Sequence, residues 1–352
     1  MGIKRKIKNY IHIKKYYPLS EKIIIPDENK KTILIVDSQI PTFDKDSASN
    51  RITEIAKFLA KYYNVYLLDW RKAIPNVDSK KYIKNLNDHN VTVYTPFINK
   101  YGLFKGKKYF IDNLLPKIDF VWCHRPELFE YYLDFFRNKA PQAKIIYDMV
   151  DIHYLRMERG LELKHYEIRA KEVVHYKYIE TELSKKADKI AVISDKEKEF
   201  MKAFVDESKL FTVSNVHNLK VKSEEMPPFE KRNGIFFIGT FLHDPNVDAV
   251  EILHQKIMPL VWKVLPDLKI TIIGADAPEY FSKMNSKNFE IVGYVENIIP
   301  YYEKCFASVS PLRFGAGVKG KIGQALEYTL PVLTTEIGAE GMFLENKITA
   351  LI

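Results

Sequence analysis

Cysteine is scarce: Cys123 and Cys305 are the only two in 352 residues. Two thiols are too few for a disulfide framework, and both lie in or beside apolar strands. That marks them as buried and inert, and suits a reducing, cytoplasmic compartment. No apolar run approaches the roughly 18–20 residues that span a bilayer. The first fifteen residues are basic but lack a long apolar core, so they do not read as a secretory signal. Zinc-finger, RNA-recognition and helix-turn-helix signatures are missing too, which argues against nucleic acid as a partner. No Asp-x-Asp pair follows a strand as a cation site; Asp44 and Asp46 stand in a loop and read as structural, so no metal is expected.

What is present is enough apolar residue, 46%, for two cores of ordinary size. The net charge of +9 is uneven. Residues 1–22 carry seven basic side chains (Lys4, Arg5, Lys6, Lys8, Lys14, Lys15, Lys22) against Glu21, and so hold six of the nine charges. Ile3, Ile7, Tyr10, Ile11 and Ile13 interleave with them. Two readings fit: a short amphipathic helix in peripheral contact with an anionic membrane surface, or a solvated tail.

Taken in order, the chain alternates strand and helix. After the tail of residues 1–30, residues 32–37 form a continuous apolar strand. A loop with Asp44 and Asp46 follows, then a helix over 51–62 with Ser49 or Asn50 as its cap. Strands follow at 65–68, 91–94, 120–123 and 144–148, with helices near 78–88, 106–114 and 127–138. Residues 161–186 read as one long helix. Strands at 190–193 and 211–213 close a domain spanning 31–217. A linker covers 218–233, where Pro227-Pro228 and charges cluster. The pattern restarts in a second domain, 234–352, with strands at 234–238, 269–273, 289–292 and 307–310 and a helix over about 246–264. Such alternation implies parallel sheets covered on both faces, with ligands outside the carboxyl ends of the strands.

The most telling stretch is Pro311 to Glu327, read as strand end, glycine loop and helix. Gly315, Gly317 and Gly320 fall within six residues, with Lys319 and Lys321 among them. A helix is expected from Gln324, and Pro331 opens the next strand. A glycine loop entering a helix N-terminus presents free N–H groups and the positive end of the dipole, which suits a phosphate. A loop that merely turns the chain explains the glycines alone equally well. Gly239, Gly274, Gly293, Gly315 and Gly317 all lie just after strands, so they gather along one edge of the second domain.

At this point the residues carry a resemblance. The segments Phe237–Ala249, Ile273-Gly274, Val292–Asn297 and Ser310–Gly341 resemble the nucleotide-sugar domain of the retaining glycosyltransferases of family 4, which have the GT-B fold. Looser matches lie at Ile33–Asp37, Asp46–Ser49 with Arg51, Tyr147–His153, Ala187-Asp188 and Ile193–Asp195. The resemblance implies an α/β fold of two Rossmann-like parallel-sheet domains facing a cleft. It implies a nucleoside-diphosphate sugar as donor, gripped by the second domain, and a glycan or lipid-linked glycan acceptor on the first. The donor diphosphate would lie over Gly239 and Thr240 and meet Gly315, Gly317, Lys319 and Lys321, with Gly274, Arg313, Ala316 and Val318 also on the donor, the base near Val292, Gly293, Tyr294 and Val295, and the ribose at Gln324. The two lysines would offset charge growing on the leaving group. His153 and Asp151 would contact the sugar or orient the acceptor. Ser47, Arg51, His124, Arg125, Asp148 and Arg156 would lie on the acceptor side. No metal or other cofactor is implied.

Alternatives stand beside several of these. Asp148, Asp151 and His153 also fit a turn and helix-cap cluster. Arg156 and Arg159 also fit a solvated helix start, and Ser194-Asp195 is most simply a cap. Tyr16, Tyr17 and Tyr101 could face an acceptor or a membrane. The chain departs from the family pattern at Ala316 and Gln324, where many members have glutamates, in the loop after Gly239, which lacks an Arg common in relatives, and at Ser47-Ala48-Ser49, where a glycine pair is common. Relatives also continue with helices beyond the point where this chain stops. Besides transfer with retention in bacterial surface-glycan assembly, two rivals stand: a GT-B epimerase, whose set of acid/base carboxylates and histidines cannot be assembled from this sequence, and a weak member that binds nucleotide or glycan within a larger synthase.

Overall fold

A computed structural model describes residues 27–69, 79–95, 97–99, 101, 103–163 and 169–352, with Ile7 and Ile11. The basic segment read as membrane-binding, with Tyr16 and Tyr17, therefore lies outside the described residues except for Ile7 and Ile11, both helical and exposed. The chain divides into two compact units. One gathers Met1–Val150, Tyr178–Ile193 and Lys198–Ser214; the other gathers Asp151–Lys177, Ser194–Glu197 and Asn215–Ile352.

The first unit carries β1 (Thr32–Asp37), β2 (Asn64–Asp69), β3 (Val91–Val93), β4 (Phe97–Ile98), β5 (Phe104–Lys105), β6 (Phe120–His124), β7 (Lys144–Asp148), β8 (Lys189–Val192) and β9 (Leu210–Thr212). Seven of these form one sheet in the order β3-β2-β1-β6-β7-β8-β9, with every pair parallel. β4 and β5 make a separate antiparallel hairpin that the sequence did not suggest. Every residue of β1 is buried, as its unbroken apolar run requires of a strand covered on both faces. Ile33 and Ile35 pack with Ile52, Ala56, Val65 and Trp122 in one core.

The second unit carries β10 (Ile235–Ile238), β11 (Ile270–Ile273), β12 (Phe289–Gly293), β13 (Ala307–Ser310) and β14 (Val332–Thr334). They form a second parallel sheet in the order β12-β11-β10-β13-β14. Its two faces bury separate clusters, one around Phe237, Phe281 and Phe289, the other around Phe236, Tyr302 and Ile322. Among the described residues no helix is long and apolar enough to cross a membrane.

Several boundaries differ from the sequence reading, each for a local reason. The first long helix is Ser47–Leu59, and Asp46 caps it by accepting from Ser49 N–H at 2.8 Å. Asp44 accepts from Tyr82 Oη and Lys81, so both loop carboxylates are structural. The helix expected over 161–186 is two: His153–Leu163 and Ala170–Thr181. The second ends where Ser184 Oγ donates to the Glu180 carbonyl and a short 3-10 turn, Leu183–Lys186, begins. The helix expected from 246 starts at Asp244 with Pro245 in its first turn, then widens into a π turn over Leu253–Ile257. Pro259 follows at once, and the wider turn accommodates a ring that an α-turn would clash with.

The carboxyl end of the first sheet is closed by a buried ionic knot. Asp148, at the end of β7, accepts two bonds from Arg51 at 2.8 Å, one from Trp122 Nε1 at 2.9 Å and one from His124 Nδ1 at 2.9 Å. Arg51 also donates to the Val213 carbonyl, so the knot ties the Ser47–Leu59 helix to the strand ends. Burial alone would raise the Asp148 carboxyl, but Arg51 and His124 hold it well below the usual carboxylate range. Removing one partner strands the other charge in the interior. Asp148→Ala is therefore expected to cost about 3–5 kcal/mol in urea unfolding. A double variant, Arg51→Met with Asp148→Leu, should recover much of that loss.

Candidate functional site

The second sheet concentrates its loops at the carboxyl ends of its central strands. β10 ends into Gly239-Thr240, β11 into Gly274, and β13 into the glycine loop. These strands are neighbours, so the loops converge. The approach is close: a Cβ on Gly274 would stand 1.8 Å from the Gly239 carbonyl oxygen. No other residue fits there without moving a strand end. Gly239 N–H donates to the Ile273 carbonyl and Gly274 N–H to that of Gly293, which fastens three strand ends together.

The glycine loop runs into a helix that begins at Gly320, four residues before the expected start, and continues to Glu327. Lys321 therefore sits in its first turn and Lys319 at its cap position. Lys321 Nζ donates to Asn246 Oδ1 and lies 4.3 Å from the centre of the Phe237 ring. Asn246 in turn donates to the Thr240 carbonyl at 2.7 Å. Lys319 is buried and donates to the Gly317 carbonyl at 2.7 Å; its carboxylate neighbour is Glu340, 3.8 Å away. Glu340 is already engaged by Arg159, at 2.8 and 3.1 Å, and Arg159 also donates to the Gly315 carbonyl.

These contacts leave positive charge short of counter-charge. Burial lowers Lys319 to about 8, against the pull of Glu340 and Glu197. Burial, reinforced by Lys319, lowers Lys321 to about 7. The ammonium groups are held where an anion would restore their charge.

Beside the lysines stands a second cluster from the Asp151 turn. Burial would raise Asp151, but Arg156 and His153 hold it well below the usual range. His153 Nδ1 lies 3.0 Å from Asp151 Oδ1, and its ring stacks on Tyr176. Arg156 pairs with the other carboxylate oxygen. His243 faces the same group; burial and then Arg156 press it down to about 3, so it is neutral at physiological pH. A cavity of about 110 Å³ opens here, lined by Arg156, His243, Asp244, Pro245 and Phe314 among others.

The second unit thus brings together the expected Gly239, Thr240, Gly274, Gly315, Gly317, Lys319, Lys321, Asp151, His153 and Arg156. Arg313 is held elsewhere, by Asp248 at 2.5 and 2.9 Å. β12 is an edge strand; Val292 on it and Tyr294 just past its end are exposed, while Gly293 turns with φ of +80°. Val295 packs into the core. Ala316, Val318 and Gln324 are half-buried. In the first unit Arg51, His124 and Asp148 form the knot described above, with no exposed side-chain surface. Ser47 is exposed in the first helical turn. Arg125 adopts φ of +88° and lies 3.6 Å from buried Asp37. The sequence reading did not single out Asn246, His243, Glu340 or Glu197. Glu197 was concealed inside a capping pattern, Ser194-x-x-Glu197.

Residues 232–352 match the family model described as Glycosyl transferases group 1. A protein of Klebsiella pneumoniae, described as an uncharacterized 44.6 kDa protein in the cps region, is 26% identical over 247 residues. The matched stretch is 65% of this chain and 60% of that protein, so the match spans less than two thirds of the relative's length. Among solved structures, TarM superposes with a TM-score of 0.68 at 13% identity, over 92% of this chain and 88% of its own. HepE of Anabaena, in complex with UDP and glucose, gives 0.60 at 12% identity, over 90% and 84%. Likeness at these identities establishes a shared fold: two parallel-sheet α/β domains, as in the GT-B glycosyltransferases.

A charge buried without a partner costs stability. Lys321→Met should therefore raise the stability of the ligand-free protein, by about 1–2 kcal/mol in chemical denaturation. Folded Lys321 loses its proton near pH 7, whereas the unfolded side chain keeps it to about 10.4. The gain should be greatest below pH 7 and shrink as pH rises toward 10.

Proposed function

We propose that the chain is a glycosyltransferase. It moves a sugar from a nucleoside-diphosphate donor to an acceptor hydroxyl, with retention at the anomeric carbon, in the assembly of a bacterial surface glycan. The carrying observation is the pair of buried ammonium groups at the start of the Gly320–Glu327 helix, both drawn toward neutrality for want of an anion. The family match over 232–352, the UDP-bound HepE neighbour and the cps-region relative all support this reading.

In this mechanism the diphosphate lies across Gly239-Thr240 and the glycine loop. As the bond to the anomeric carbon breaks, the leaving phosphate gains charge. Lys319, Lys321 and the helix start offset that charge without reorganising. Gln324 bonds the ribose, and the base rests on the β12 edge at Val292, Gly293 and Tyr294. Asp151 holds His153 and Arg156 at the sugar, and neutral His243 can accept from a hydroxyl or donate to one. The acceptor is a glycan or lipid-linked glycan carried by the first domain. It attacks from the face that the diphosphate leaves, and its proton passes to that phosphate. No metal enters the scheme, so activity should persist with a chelator. Cytoplasmic work at the inner membrane face, with residues 1–22 as a peripheral anchor, completes the proposal.

Ala316 and Gln324 favour one other reading: a member that binds donor without turnover inside a larger synthase. Incubation with a panel of nucleotide sugars and candidate acceptors, scored by nucleotide release and by NMR of the product anomer, separates the two. Release with retention is expected. Binding without release favours the scaffold, and an inverted anomer rejects the retaining mechanism.

Calorimetry with UDP adds a sharper expectation. Lys319→Ala or Lys321→Ala should weaken binding roughly 10- to 100-fold, the scale of a charge-assisted hydrogen bond. Both lysines carry their charge below about 7–8. Affinity should therefore fall as pH rises from 7 to 9, with proton uptake on binding at the upper end.

A further inference from the structure

Glu197 belongs to neither the expected site nor the ionic knot, yet it is buried at 6% exposure within the second unit. Among the described residues it forms no ion pair with a basic side chain. Its Oε1 instead accepts from two backbone donors far apart in sequence: Gly317 N–H at 2.9 Å and Ile152 N–H at 3.3 Å. Gly317 is the centre of the glycine loop and holds φ of +68°, a left-handed conformation that favours glycine. Ile152 is flanked by Asp151 and His153. One carboxylate oxygen thus fixes both the phosphate loop and the sugar-side turn. The second oxygen, Oε2, is buried with no hydrogen-bond partner among the described residues. A helix cap alone does not explain this arrangement. Capping is done by Ser194 Oγ, which accepts from Glu197 N–H at 3.2 Å, while the carboxylate reaches away from its own helix.

We propose that Glu197 is a positioning residue: a clamp that sets the glycine loop against the Asp151–Arg156 turn, and so tunes how the site receives an anionic donor. The second half of this rests on the donor reading above; the clamp itself does not. The groups facing Glu197 are Asp151 from the turn and Lys319 from the loop. Lys319 is shared with Glu340, and Glu340 with Arg159. Burial, then Asp151, pushes the carboxyl up to about 8, against the two N–H groups and Lys319. Below that pH the acid is neutral and its carbonyl oxygen holds both amides. Above it a second negative charge stands beside Asp151, close to where the diphosphate would lie, and repels it.

The clamp is tested first without nucleotide, by hydrogen exchange of the peptides covering 150–153 and 315–320 in the full chain. Glu197→Ala should lose at least tenfold protection in both. Glu197→Gln, whose amide oxygen can accept from the same donors, should keep protection within about twofold. Equal protection in wild type and Glu197→Ala overturns the clamp. So does equal loss in Ala and Gln variants whose melting temperatures match wild type. UDP calorimetry from pH 6 to 9 then tests the coupling. Glu197→Gln should flatten the alkaline loss of affinity by roughly threefold or more, leaving the part due to the lysines. An unchanged pH profile overturns the coupling. Failure of wild type to bind UDP, GDP or another nucleoside diphosphate rejects the donor reading and with it the coupling, while the exchange result still decides the clamp.

Discussion

Two ammonium groups buried at the start of one helix constrain the second unit. Water would solvate them; the fold withholds it and offers little in return. Lys321 has an amide oxygen and the face of Phe237, and Lys319 has a carbonyl oxygen and a carboxylate already taken by Arg159. Such sites persist when another task requires the charge, because burying an ion without a full partner costs several kcal/mol. The surrounding geometry follows from holding them there. The Gly239 and Gly274 backbones touch to bring the β10 loop under Lys321, and Asn246 is anchored on Thr240 to face it.

The first unit shows the contrasting arrangement. Asp148 is as deeply buried as any group in the chain, but it accepts from a guanidinium, an indole and an imidazole, and its carboxyl is driven firmly into the charged state. That network is satisfied around its acceptor, while Arg51 Nη2 and His124 Nε2 are buried with no hydrogen-bond partner among the described residues. Burial alone therefore does not separate a structural ion from a functional one. The direction of the shift reports whether partners suffice: toward charge for Asp148 and Asp151, toward neutrality for Lys319 and Lys321.

The same distinction explains how much was legible in the sequence. Strand positions were readable because parallel strands buried on both faces carry continuous apolar runs, as at Thr32–Asp37 and Ile235–Ile238. The glycine loop was readable because its glycines and lysines sit within one short stretch. Contacts spanning many residues were not. Arg313 read as a donor ligand because Asp248, its partner, lies 65 residues earlier. Arg51, His124 and Asp148 read as an acceptor surface because only the folded sheet brings them together and closes them off. Glu197 was hidden because its neighbours Ser194-Asp195 read simply as a cap, while its partner Gly317 lies 120 residues later. Helix ends failed where side chains compete with the backbone, as Ser184 does at Glu180.

The departures at Ala316 and Gln324 acquire a physical meaning beside the lysines. The resemblance puts a glutamate at each of those positions, and either would place negative charge near Lys319 and Lys321. Here one is a methyl group and the other a neutral amide. Of the carboxylates that remain, Glu340 is drawn off by Arg159, and Glu197 is pushed toward its neutral acid by burial and by Asp151. Each of these features lowers the negative charge carried by the loop, its helix and their neighbours. On the proposed donor reading, a doubly charged ligand would offset this excess of positive charge more than a singly charged one, and an added carboxylate would satisfy the lysines itself and weaken that preference.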